Sequence, residues 1–189
     1  MPGLKFRVLL DTDTTEEIFR DILISSEADF ETFYNAIMSA FGFNGDQMAS
    51  FYVSNDNWDK GHELSLLDMS YDDDAIDEPA SVMKLAKIQD FLEEPDQRYI
   101  LVYDFMRMWI FLIELIAYEK ETPAEPSMLL AVGTAPQEHS KSILDENLFD
   151  SEATAIQHTD DSDDDEYGFD DFDDDYSDDD LNDYNQYDY

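Results

Sequence analysis

The residues best placed to do chemistry lie in one short stretch, Tyr103-Asp104-Phe105-Met106-Arg107-Met108-Trp109. Asp104 closes a strand-like run, and period-two alternation points it away from Tyr103 and Phe105. It could be a site carboxylate facing a cleft, which would make the chain an enzyme or small-ligand binder working near Tyr103, Asp104 and Trp109. The plainer reading is a solvent-facing or turn-bonded aspartate near a strand end. Met106, Arg107 and Met108 then form a turn between two aromatics. Two methionines and two rings at a turn make an adaptable binding surface.

Other chemistry is thinly supplied. The chain has no cysteine, so it has no disulfide, no thiol nucleophile and no Cys-ligated zinc. His62, His139 and His158 are far apart, and none has the helical pair spacing of a zinc hydrolase. Each reads as a surface histidine. Asn55-Asp56-Asn57 opens like a calcium loop. Lys60 then takes the position that needs glycine, and Leu66 the one that needs a bidentate glutamate, so a polar hairpin turn is expected instead. Asp72-Asp73-Asp74 reads as a solvated charge run. No phosphate-cradling glycine loop or Gly-x-Ser-x-Gly word occurs. No cofactor and no resident metal are expected.

The C-terminal residues 160–189 carry sixteen acids, no base, and seven aromatics: Tyr167, Phe169, Phe172, Tyr176, Tyr184, Tyr187 and Tyr189. Such a segment repels itself and has no apolar stripe to offset an ordering cost of about 1–2 kcal/mol per residue, so it is expected to be disordered. Charge can engage a basic protein while the rings anchor, with Tyr167, Phe169, Phe172 and Tyr176 as the central candidates. The alternative is a solubilising bristle without a fixed partner.

The elements that must position these residues follow from periodicity. Leu4, Phe6, Val8 and Leu10 alternate with Lys5 and Arg7 in a half-buried strand, and Ile18–Ile24 reads as its hairpin partner. Asp29 can cap a helix over Phe30–Phe41. There Phe30, Phe33, Tyr34, Ile37 and Phe41 share a face, and Gly42 suits the left-handed residue after its end. Met48–Ser54 reads as a strand, His62–Leu67 as a weaker one, Tyr71–Pro79 as an acidic loop and Lys84–Leu92 as a short helix. Arg98–Phe105 and Trp109–Tyr118 are the strongest strands. Both faces of the second are apolar, which predicts a central strand covered on both sides, or covered by a partner chain. A last short strand is expected at Met128–Val132. The predicted core includes Phe6, Val8, Ile22, Phe33, Ile37, Phe41, Val102, Trp109, Phe111 and Ile113.

All ten basic residues lie at or before Lys141. Taking the sixteen acids of the tail from the chain's 48 leaves 32 on residues 1–159, a net charge of −22 there. That balance argues against direct nucleic-acid binding, which rests on Lys and Arg displacing counterions, and against an acidic membrane surface. The most apolar run, Met106–Ala117, is interrupted by Arg107 and Glu114 and is too short to span a bilayer. With a strand pattern starting at Leu4, no signal peptide is read, and a cytoplasmic location is expected. The oligomeric state is open.

Several words together carry a resemblance: Ile18-Phe19-Arg20-Asp21-Ile22, the helix end Ala40-Phe41-Gly42-Phe43, Tyr103-Asp104-Phe105 with Trp109, and Gly133-Thr134-Ala135-Pro136-Gln137-Glu138. Over Leu4–Glu138 the chain resembles the Ri-plasmid open-reading-frame-three family, also labelled the insertion-element TnpR passenger family. The resemblance implies an α+β domain over residues 1–140, with a twisted, largely antiparallel sheet packed on one or two helices, somewhat like ubiquitin. A linker, 141–159, and the disordered acidic tail, 160–189, would follow. It implies no established enzymatic activity, and a link to mobile elements by gene neighbourhood. The family's Gly-Asp after the Tyr-Asp-Phe word is Met106-Arg107 here, and its His after the Trp is Phe111. The retained residues are an apolar framework, so the leading expectation is a non-enzymatic protein-interaction domain with an acidic tail.

Overall fold

The computed structural model describes residues 2–68 and 81–143. The tail candidates Tyr167, Phe169, Phe172 and Tyr176, together with His158 and the whole Tyr71–Pro79 loop with its Asp72-Asp73-Asp74 run, lie outside the described residues.

Alternation at the N-terminus folds as expected. β1 (Gly3–Leu10) and β2 (Phe19–Ser25) form an antiparallel hairpin, with Phe6 opposite Ile22. α1 (Phe30–Phe41) follows. The Asp29 side chain accepts from the Thr32 amide at 2.7 Å, satisfying one of the free donors of the first turn. Gly42 ends the helix at φ 73°, and the Phe43 amide reaches back to the Met38 carbonyl at 2.9 Å.

The remaining strands are β3 (Ala49–Ser54), β4 (Lys60–Ser65), β5 (Ser81–Val82), β6 (Arg98–Tyr103), β7 (Trp109–Glu119) and β8 (Ser127–Val132). They join β1 and β2 in one eight-stranded sheet of order β5-β4-β3-β6-β7-β1-β2-β8. Every pairing is antiparallel except β4 with β5. The class is therefore α+β, with one α-helix among the described residues.

Registry puts Phe6, Ile22, Phe51, Leu101, Phe111 and Ile113 on the sheet face that α1 covers. Phe33 stacks on Phe51 at 5.7 Å and meets Phe6 at 4.8 Å, while Phe41 packs edge-on to Phe111 at 5.0 Å. All ten predicted core residues are buried, with Val102 on the opposite sheet face. That face also carries an ion-paired patch: Asp21, itself buried, accepts from Arg7 at 2.8 and 3.0 Å, and Lys5 stands 3.5 Å away.

Two expectations need correction. Lys84–Leu92 is not one helix but two 3-10 turns, Met83–Leu85 and Ile88–Phe91. The backbone between them pairs with the chain before α1: the Phe30 amide donates to Ala86 at 3.0 Å and the Ile88 amide to Ala28 at 2.9 Å. Those groups are then diverted from a helical ladder. β7 is interior as expected, between β6 and β1, but it is fully covered on one face only. On the other, Ile110 and Leu112 are half-buried and Ile116 is exposed.

Candidate functional site

β6 ends at Tyr103, not at Phe105, so Asp104 belongs to the turn into β7. Asp104 and Met108 both take left-handed backbone, at φ 55° and 54°. Aspartate tolerates that region because its short side chain bonds locally. Here Oδ1 accepts from the amides of Met106 at 3.1 Å and Arg107 at 3.2 Å, and Oδ2 accepts from the Arg107 guanidinium at 3.1 Å. The Asp104 amide donates to Met48, and its carbonyl accepts from Arg107 and Met108. Asp104 is only 2% exposed. Its carboxylate is engaged in shaping the turn. Phe105 and Met106 project into solvent, while Arg107 and Met108 are half-buried.

The rings on either side of the turn point inward, to one residue that sequence spacing does not single out. Glu138 sits in a one-turn 3-10 segment, Glu138–Ser140, and is buried. Its carboxylate accepts from the Tyr103 hydroxyl and, at 2.8 Å, from the Asn44 amide. Its carbonyl accepts from the Trp109 indole N–H at 3.0 Å. Phe43 packs on Trp109 at 5.2 Å and on Tyr103 at 6.0 Å. Three of the recognised words therefore converge: the helix end at Phe43, the Tyr103/Trp109 pair, and the segment ending in Glu138. Glu138 is 35 residues from Tyr103 and 94 from Asn44 in sequence, so no local pattern could pair them.

This setting holds phenols neutral. Burial, and then the hydrogen bond to Glu138, push the Tyr103 hydroxyl up. Burial pushes the Tyr34 hydroxyl up to about 12, with the Glu138 and Asp46 charges adding to it. On the opposite face, the Arg7 guanidinium holds the Asp21 carboxyl below its usual range.

A cleft of about 470 Å³ opens beside Trp109. Asp11, Asp13 and Glu16 of the β1–β2 connection line it together with Ser140 and Lys141. The Lys141 ammonium lies 5.3 Å from the Trp109 ring centre and donates to the Met108 carbonyl at 2.6 Å. Tyr103 and Asp104 are both buried and do not line this cleft, so of the three residues expected there the fold brings only Trp109 to it.

The two described histidines stay apart. His62 is half-buried, bonded to Ser81 at 2.8 Å and stacked on Phe91, while His139 is exposed. Asn55 closes its hairpin by accepting from the amides of Asn57 and Asp59, as a polar turn does. Among the described residues no three His, Asp or Glu side chains are grouped to hold a metal ion, and no helix is long and apolar enough to cross a membrane.

Comparison with known proteins adds fold and family. No functionally curated protein matches the chain. The crystal structure of MM3350, a protein of unknown function from Methanosarcina mazei Go1, superposes with a TM-score of 0.60 at 17% identity, covering 83% of this chain and 84% of that one. At that identity the likeness speaks to fold alone. The model of the plasmid pRiA4b ORF-3-like proteins matches residues 3–182, nearly the whole length and past the 140 boundary expected for the folded domain. The match takes in all the words that meet around Glu138, and the chain belongs to the plasmid pRiA4b ORF-3-like protein family.

Proposed function

We propose that this protein is a non-enzymatic interaction domain whose acidic, aromatic tail engages a basic protein partner. The observation that carries the reading is the charge layout: sixteen acids and seven rings without a base in residues 160–189, on a body that is itself acidic. Charge attracts Lys-rich surfaces and repels phosphates and acidic membranes, and rings supply anchors that charge alone does not explain. The engagement of Asp104 in its turn and of Glu138 with Tyr103 and Asn44 supports a framework role for both carboxylates. A cytoplasmic location, a boundary between domain and tail near residues 141–159, and a TnpR-passenger link to mobile elements belong to the same reading. The ubiquitin-like comparison is supported by a β1–β2 hairpin that leads straight into α1 over one sheet face.

The test is binding of a Lys-rich peptide to the full chain and to a variant with all seven tail aromatics changed to Ser. Affinity is expected to fall steeply with salt, as the Debye length shrinks from about 10 Å at 0.1 M to about 3 Å at 1 M. It is also expected to drop in the Ser variant. Equal affinity of the two chains would remove the anchoring role of the rings. Direct DNA binding at physiological salt would overturn the charge argument.

A second reading, a small-ligand site, is favoured by the cleft beside Trp109, whose lining combines Lys141 with Asp11, Asp13 and Glu16. A ligand that changes Trp emission in the full chain but not in Trp109→Phe would support it.

A further inference from the structure

The sheet ends on a strand whose one irregularity is a bulge at Leu129: Asp21 pairs with Leu130 but Ile22 with Met128. β8 pairs only with β2, leaving its other edge open among the described residues. Edge strands are normally blunted by charge, proline or strong bulges, because their free N–H and C=O groups template pairing with another chain. β8 reads Ser-Met-Leu-Leu-Ala-Val, with no charge and no proline inside it. Met128 and Leu129 are each about half exposed, Leu130 is 44% and Val132 36% exposed.

A groove of about 450 Å³ runs beside this edge, between β8 and the flank of α1. Ala36, Ser39 and Ala40 of the helix line one wall, and Ser127 and Met128 the other. Small side chains there leave room for those of an incoming strand. A strand added to β8 would sit about 4.8 Å further out, with alternate residues facing the groove. Glu125 is the charged residue that lines the groove. The nearby Arg20 guanidinium is occupied by the carbonyls of Ala40, Phe19 and Val132.

We infer that β8 and this groove take an extended segment of a basic partner protein as a ninth strand, with apolar residues alternating with Lys or Arg. Main-chain pairing supplies the contact, and the groove takes every second side chain. Charge selects the occupant. The chain has a net charge of −38, so a second copy would bring like charge to the edge, whereas a basic segment relieves it. This rests on the basic-partner reading and places one contact on the folded domain.

The full chain is titrated with three blocked octapeptides: (Lys-Val)4, the same peptide N-methylated along one edge, and (Glu-Val)4. Amide shifts and hydrogen exchange of Ser127–Val132 are followed. The (Lys-Val)4 peptide is expected to shift these amides and slow their exchange. N-methylation keeps the charge but removes main-chain donors, and is expected to weaken binding about tenfold or more. The (Glu-Val)4 peptide is expected not to bind. If the N-methylated peptide binds equally well with β8 unmoved, strand addition is overturned while the basic-partner reading stands. If neither Lys peptide binds, both fall. If (Glu-Val)4 protects β8 equally, the basic occupant is overturned. If the peptide-free chain sediments as a dimer with β8 already protected, the occupant is a second copy and the inference fails.

Discussion

At the scale of single residues, the decisive side chain is Glu138. It accepts a phenol and a backbone amide inside the protein, and its carbonyl holds the Trp109 indole. Glu138→Ala leaves the Asn44 amide without its partner and Tyr103 with only a long bond to Asp46 at 3.4 Å, and is expected to cost about 2–4 kcal/mol, read as a lowered urea midpoint at unchanged slope. An unchanged midpoint would remove Glu138 from the framework. The phenols make a pH prediction. Tyr34 ionises near 12 in the fold and near 10 when unfolded, so its contribution is full below about 10 and is lost as pH rises towards 12. Tyr103, also raised, acts in the same direction. Asp21 works at the other end. Its carboxyl is depressed beside Arg7, so it stabilises above its unfolded value of about 4, and this is lost as pH falls below that. Asp21→Asn should flatten the acid limb of a stability–pH curve and leave the alkaline limb in place. An acid limb unchanged in that variant would contradict the assignment.

At the scale of elements, Arg20 and two glycines set how α1 and β8 attach to the sheet. Arg20 is buried, lies 4.8 Å from the Phe41 ring centre, and donates to carbonyls of Phe19, Ala40 and Val132. It thus ties the helix end to the edge strand. Arg20→Lys loses the planar fork and is expected to cost about 1–3 kcal/mol, with amide exchange accelerated over the unaltered chain more in β8 than in β6 as the specific sign. An equal acceleration in both strands would argue against this tie. Gly42 and Gly133 both sit at φ 73°, but their surroundings differ. A Cβ on Gly42 meets nothing within 4 Å, so Gly42→Ala should cost about 1–2 kcal/mol, the left-handed backbone alone. A Cβ on Gly133 would stand 2.7 Å from the Glu17 carbonyl, so Gly133→Ala should lower the melting temperature by clearly more. Equal losses for the two would show that the β8 end yields freely. Helix α1 was legible to the residue because its cap, apolar face and terminal glycine agree. The stretch 83–91 was not, because distant backbone groups claim its donors and acceptors.

At the scale of the whole molecule, charge is the dominant feature. The chain carries −38 and residues 1–159 alone −22, so the folded state works against its own field. Raising salt from 0.01 M to 0.15 M shortens the Debye length from about 30 to about 8 Å and should raise the melting temperature. A fall over that range would mean that specific ion pairs, such as Arg98 with Asp56 and Glu114, outweigh the general repulsion.

Seven of the eight described strands, the helix, the apolar core and the acidic excess were readable in the chain itself, while β5 was not. Each depends on periodicity or composition, which are local or summed properties. Asp104 was readable as a turn-bonded residue among its alternatives, but not as a buried left-handed one. Tertiary structure alone decided that Glu138 receives Tyr103 and Asn44, that the cleft opens on Trp109 without Asp104, and that β8 lies at the edge with an uncharged side free among the described residues. The physical reason is common to all three. A side chain's role there is set by which carbonyls, amides and rings reach it from tens of residues away, and by which strands remain unpaired. No spacing along the chain encodes that.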